Sequence, residues 1–113
     1  MNWNTLNKLE QLEEIKTISE KEPVVIFKHS TRCSISSSAL DRLERHAAKS
    51  EKIGFKAYFL DLIAFRPISN QIADAFGVEH QSPQVLLIKD GKCVYNNSHM
   101  GISFLELQEQ VKS

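Results

Sequence analysis

The apolar positions of this chain fall into two kinds of run. Val24-Val25-Ile26-Phe27 and Val85-Leu86-Leu87-Ile88 are unbroken and of strand length, as expected of strands covered on both faces. Residues 55–62 alternate instead, with Phe55, Ala57 and Phe59 on one side and Tyr58 and Leu60 on the other. Between these runs the spacing lengthens to that of helices. Leu9, Leu12, Ile15 and Ile18 predict a helix over about 8–20, and Asn7 and Glu10 have capping-box spacing at its start. Ile35, Ala39, Leu43 and Ala47 predict a second helix from just after Cys33 to about Ser50. Arg66-Pro67 opens a third, with Ile68, Ile72, Ala75 and Phe76 on one face and Gly77 as its stop. Asp90-Gly91 is a tight hairpin signal that folds residues 92–96 back on the preceding strand. Phe104, Leu107 and Val111 are the buried face of a closing helix over 103–111, and residues 1–6 are expected as a short edge strand. Strands that alternate with helices in this order argue an α/β sandwich with a parallel portion.

Composition narrows the picture by exclusion. The 113 residues suit one domain, 1–113, and show no repeat, linker or low-complexity tract. Fourteen basic residues balance fourteen acidic ones, so no basic footprint marks a nucleic acid or an anionic membrane as partner. The apolar runs are far shorter than a membrane span, and the first residues lack the charged and apolar regions of a signal peptide. Two cysteines, sixty positions apart, are too few for a disulfide framework. The expected location is the reducing cytoplasm, where disulfides are transient chemistry.

Candidate chemistry centres on Lys28-His29-Ser30-Thr31-Arg32-Cys33-Ser34-Ile35-Ser36. Cys33 stands where a strand ends and a helix begins. Free backbone N–H groups and the positive end of the helix dipole there favour a thiolate, and Arg32 adds a positive charge one residue away. An inert core cysteine is the alternative, but the flanking Ser, Thr and Arg are too polar for it. Ser36 occupies the second position of a Cys-x-x-Ser motif, where it is expected near the Cys33 sulfur as a hydrogen-bond donor. Lacking a second thiol there, the site is expected to work through Cys33 alone. Cys93 reads as a half-buried strand cysteine on a distant edge, against the alternative of a remote resolving thiol. His29, His46, His80 and His99 have no metal-ligand spacing with the cysteines and are expected at the surface or in loops, with His29 and His80 beside the site motifs. Arg32 is a solvated charge or a clamp for the carboxylates of an acidic small thiol.

The element order, the cysteine after the first central strand and the proline before the hairpin resemble a thioredoxin fold. More narrowly, the segment around Cys33 together with His80-Gln81-Ser82-Pro83-Gln84 resembles the YtxJ family, the monothiol bacilliredoxins. The resemblance implies a thioredoxin-like three-layer sandwich, with a mixed sheet of four to five strands and helices on both faces. It implies an oxidoreductase that removes bacillithiol, a low-molecular-weight thiol, from mixed disulfides with client proteins. Cys33 would be the attacking thiol, Ser36 would stand in the place of a resolving cysteine, and Pro83, after Ser82, would be a cis-proline beside the site. The family commonly has proline directly after the cysteine, where this chain has Ser34. Bacillithiol would be a co-substrate, with no bound cofactor or metal, and a monomer is expected. Two alternatives remain at this point: a thioredoxin-like binding module without turnover, and an iron–sulfur cluster carrier, which Cys-x-x-Ser redoxins can be.

Overall fold

In the computed structural model, which describes residues 1–112, strands and helices alternate up to a hairpin before the last helix. Ser113, the last residue of the expected domain, lies outside the described residues. In chain order the elements are β1 (Trp3–Thr5), α1 (Gln11–Ile18), β2 (Val24–His29), α2 (Ser34–Ala48), β3 (Lys56–Asp61), α3 (Arg66–Phe76), β4 (Gln84–Lys89), β5 (Lys92–Ser98) and α4 (Phe104–Lys112), with a short 3₁₀ turn at His99–Gly101. They form one five-stranded sheet in the order β1-β3-β2-β4-β5. β1 and β2 run parallel to β3, while β2–β4 and β4–β5 are antiparallel.

The unbroken apolar run of β2 is explained by its place. It is central, and every one of its residues is buried. Val24 and Ile26 face a cluster built with Leu12 and Ile15 of α1 and Ile68 and Ile72 of α3. Val25 and Phe27 face the opposite cluster, with Ala39, Leu43 and Ala47 of α2 and Phe104 and Leu107 of α4. The alternation along β3 divides in the same way: Tyr58 and Leu60 join the first cluster and Phe59 packs on the second. Asp90 and Gly91 both have positive φ, as the hairpin signal requires. Gly77 closes α3 in the left-handed region at φ 64.

Three expectations are corrected. Leu9 is not on the apolar stripe of α1; it precedes the helix in a turn and is 50% exposed. No capping box forms from Asn7 and Glu10. Instead Gln11 Oε1 accepts from the N–H groups of Asn7 and Lys8, at 2.8 and 2.9 Å. Ile35 is 45% exposed, and Ser36 takes the buried position in phase with Ala39, Leu43 and Ala47. Ile35 stands four residues before Ala39 and Ser36 three, and both spacings put a residue on the same helix face.

Lys28 departs from the rule that β2 buries only apolar groups. It is fully buried on the α3 side, with no carboxylate within ion-pair distance among the described residues. Burial pushes its ammonium down from 10.5 to about 8. The unfolded chain therefore holds a proton that the folded chain has released between those two values. Native stability should rise with pH across this window, with no contribution to the slope from Lys28 below it. Thermal melts of wild type and Lys28→Met at pH 7.5 and pH 10, within the reach of that shift, should show the gain in wild type and a smaller one in the variant. A second prediction concerns Gly101. A Cβ there would collide with the Asn97 side-chain amide. Asn97 would then lose its bonds to Tyr95 Oη and the Ser98 N–H, at 3.2 and 2.8 Å. Gly101→Ala should cost about 1–2 kcal/mol in urea denaturation.

Candidate active site around Cys33

The chain leaves β2 at His29 and turns once before α2 begins. The Cys33 N–H donates to the Ser30 carbonyl at 3.1 Å, closing that turn. Cys33 is itself the N-cap of α2, in extended conformation at φ −112 and ψ 121, and no side chain caps the helix there. Its carbonyl accepts the first helical bond, from the Ser37 N–H at 3.1 Å. The thiol is thus set beside the first turn, whose N–H groups have no intrahelical acceptor. Cys33 is half-buried, while Thr31, Arg32 and Ser34 around it are exposed. The side chain of Arg32, the residue before Cys33, is therefore presented at the surface.

Ser36 behaves differently from the expectation. It is fully buried, and its hydroxyl meets His29 Nδ1 at 2.7 Å and accepts from the Ser30 N–H at 3.0 Å. These bonds run inward, to the end of β2 and the start of the turn, and not to the Cys33 sulfur. Ser36 therefore fixes the shape of the turn that presents Cys33. His29 is likewise not a surface or loop residue. It is the buried last residue of β2, stacked on Phe27 at 5.9 Å and packed on Phe59 at 5.3 Å. Burial lowers its pKa, and the neighbouring charge of Asp61 opposes that shift.

A second wall comes from the loop before β4. The pairing of Lys28 with Gln84, continued one step, sets Pro83 opposite His29. Pro83 is buried and the Ser82–Pro83 peptide is cis. The Pro83 carbonyl accepts from the His99 N–H at 3.0 Å, which ties the 3₁₀ turn to the same end of the sheet. The Ser82 hydroxyl is buried and has no hydrogen-bond partner among the described residues. Cys33, Ser36 and Pro83 therefore converge at one end of β2, with Arg32, Ser34 and Ser82 adjacent in sequence.

His80 and Lys28, which carry no role in the motif as read from the sequence, meet under this loop. Lys28 Nζ lies 3.2 Å from His80 Nδ1 and 3.4 Å from the Ser69 carbonyl. Burial, Lys28 and Arg66 all lower the His80 pKa. The only signal in the sequence was the place of His80 in the second motif; Ser69 had none.

Cys93 stands apart. It pairs with Ile88, which pairs in turn with Val24, at the opposite end of β2 from His29. Five residues of strand separate those ends, about 17 Å at roughly 3.3 Å per residue. A disulfide needs Cα atoms within about 7 Å. Both cysteines are free. The Cys93 thiol donates to the Tyr95 carbonyl at 3.3 Å, and burial pushes its pKa up.

This architecture has well-matched counterparts. A solved structure described as a candidate oxidoreductase with a thioredoxin fold superposes with a TM-score of 0.79 at 29% identity, covering 96% of this chain and 92% of the other. Thioredoxin from Trypanosoma brucei brucei matches at TM-score 0.77 and 17% identity, over 99% and 93% of the two chains. Thioredoxin from Malassezia sympodialis matches at 0.73 and 14%, over 98% and 89%. The fold is that of thioredoxin. The family model described as monothiol bacilliredoxin BrxC matches residues 4–107, and the chain belongs to that family.

Proposed function

We propose that this protein is a monothiol thiol–disulfide oxidoreductase that removes bacillithiol from protein mixed disulfides through Cys33. The observation that carries this reading is the isolation of the thiol. Cys33 opens α2 beside exposed polar neighbours, a buried serine takes the position of a second thiol, and Cys93 is at the other end of the sheet. Membership of the monothiol bacilliredoxin family supports the choice of small thiol.

The Cys33 thiolate attacks the bacillithiol sulfur of the mixed disulfide. A new S–S bond joins Cys33 to bacillithiol, the old S–S bond breaks, and the electron pair leaves on the client sulfur, which takes up a proton. Two electrons remain shared in one disulfide throughout, so this step needs no external oxidant. Reset comes from a second small thiol or another reductase, whose thiolate attacks the bacillithiol sulfur on Cys33, leaves as a disulfide with it and returns the Cys33 thiolate. Arg32, exposed and adjacent in sequence to Cys33, would meet carboxylates of an acidic small thiol. Ser34, exposed in the first turn, keeps a backbone N–H that proline would remove. Ser82 and Pro83 form the wall along which the client chain passes. The reading places this reaction in the cytoplasm, on a protein that works as a monomer without bound cofactor.

Intact-mass spectrometry after mixing with a bacillithiolated protein tests the scheme. Cys33→Ser should reduce transfer to background. Cys93→Ser should still gain the mass of one bacillithiol, at Cys33. Ser36→Cys should release the captured thiol unaided and form an internal disulfide, since the spacing becomes that of Cys-x-x-Cys enzymes. A block by Cys93→Ser as complete as that by Cys33→Ser would overturn the monothiol cycle. A Cys33 inert to iodoacetamide at neutral pH would instead identify a binding module, and absorbance near 400 nm after anaerobic purification, the region of iron–sulfur clusters, roughly placed, a cluster carrier.

A further inference from the structure

Among the described residues Lys28 is a buried cation without a carboxylate partner, held by two neutral acceptors. An ammonium carries only protons to donate, so its 3.2 Å contact with His80 Nδ1 requires the lone pair on that nitrogen. The ring proton is then on Nε2. The Ser69 hydroxyl lies 3.3 Å from the same Nδ1, and the Ser69 carbonyl lies 3.4 Å from Nζ. One contact set thus joins β2, α3 and the loop that leads to Pro83.

The loop is braced again on its other side. Gln84, buried, donates from Nε2 to the Glu79 carbonyl at 3.1 Å, and its Oε1 accepts from the Gln81 N–H at 3.4 Å. His80 lies between these two anchor points. The charged groups that act on it are Lys28 from β2 and Arg66 from α3, both cationic. A doubly protonated His80 would turn an N–H toward an ammonium, so the contact opens in acid. An apolar side chain would fill the place of Lys28 at no desolvation cost. The ammonium adds direction: it fixes where the imidazole sits.

We propose that Lys28 and His80 are a positioning pair for thiol transfer, in which the buried ammonium holds the imidazole and, through it, the 79–83 loop at the end of β2 beside the helix that carries Cys33. The proposal rests on the thiol-transfer reading given above, and adds to it a pair of residues outside the thiol motif.

The test compares variants in transfer from a single-cysteine protein carrying bacillithiol. Lys28→Met at pH 7 should slow transfer about tenfold, the scale of one lost hydrogen bond to a charged group. Its melting temperature should stay at or above that of wild type, because a buried charge has been removed. A residue with a merely structural role would lose stability and rate together. His80→Leu should slow transfer equally, His80→Gln, which keeps an acceptor, should recover to within about threefold, and the Lys28→Met/His80→Leu double variant should be no slower than either single one. Nitrogen NMR of wild type should show the Nε2–H tautomer of His80, and Lys28→Met should raise its titration midpoint. Transfer by Lys28→Met at the wild-type rate, additive losses in the double variant, or an Nδ1–H tautomer would overturn the positioning role alone. No transfer by wild type would overturn the thiol-transfer reading, and this role with it.

Discussion

The burial of β2 on both faces is the constraint from which the site follows. A strand covered by α1 and α3 on one side and by α2 and α4 on the other has no solvent along its length. The chain regains water only past His29, and must turn there to lay α2 back on the sheet. Whatever side chain stands at that turn is lifted to the rim and set against a helix start. Here it is Cys33. The antiparallel pairing of β2 with β4 brings the Pro83 loop to the same rim. The meeting of two segments fifty positions apart is thus a property of sheet register as much as of the motif residues (83 − 33 = 50).

Polar groups inside this rim do the fine positioning. Alternation along β2 sends Lys28 and His29 to opposite faces, so two adjacent residues of a sequence motif serve two different contacts. His29 reaches Ser36 and sets the turn before α2, while Lys28 reaches His80 and meets the loop before β4. Each wall of the site is therefore tied to the end of the central strand by one polar side chain. Neither contact touches the Cys33 sulfur.

Most of the architecture was legible in the sequence because burial leaves a period. The two unbroken apolar runs, the alternation of 55–62, Gly77 after α3 and Asp90-Gly91 each correspond to a single backbone geometry, and each appears where expected. The phase at the start of α2 was not legible, because helical spacings of four and three before Ala39 admit Ile35 and Ser36 equally, and hydrophobicity favours the wrong one. The burial of Lys28, His29 and Ser36 was hidden for a related reason. Polar residues at the end of an apolar run read as the exit to solvent, and only their partners from distant elements show that they are still inside. The 3₁₀ turn after β5 leaves no mark because Ser98-His99-Met100-Gly101 has no periodic signal of its own. Cys33 and Pro83, by contrast, were marked by their positions at element boundaries.

The distance between the two thiols also bears on damage. When peroxide reaches Cys33 directly, the first product is a sulfenic acid, and its usual escape is condensation with a nearby thiol before further oxidation becomes irreversible. Cys93 is at the far end of the sheet and cannot serve. The folded chain thus offers Cys33 no second thiol for rescue. Its survival under oxidant then depends on how much free small thiol surrounds it, which couples the lifetime of the protein to the same pool that its proposed chemistry draws upon.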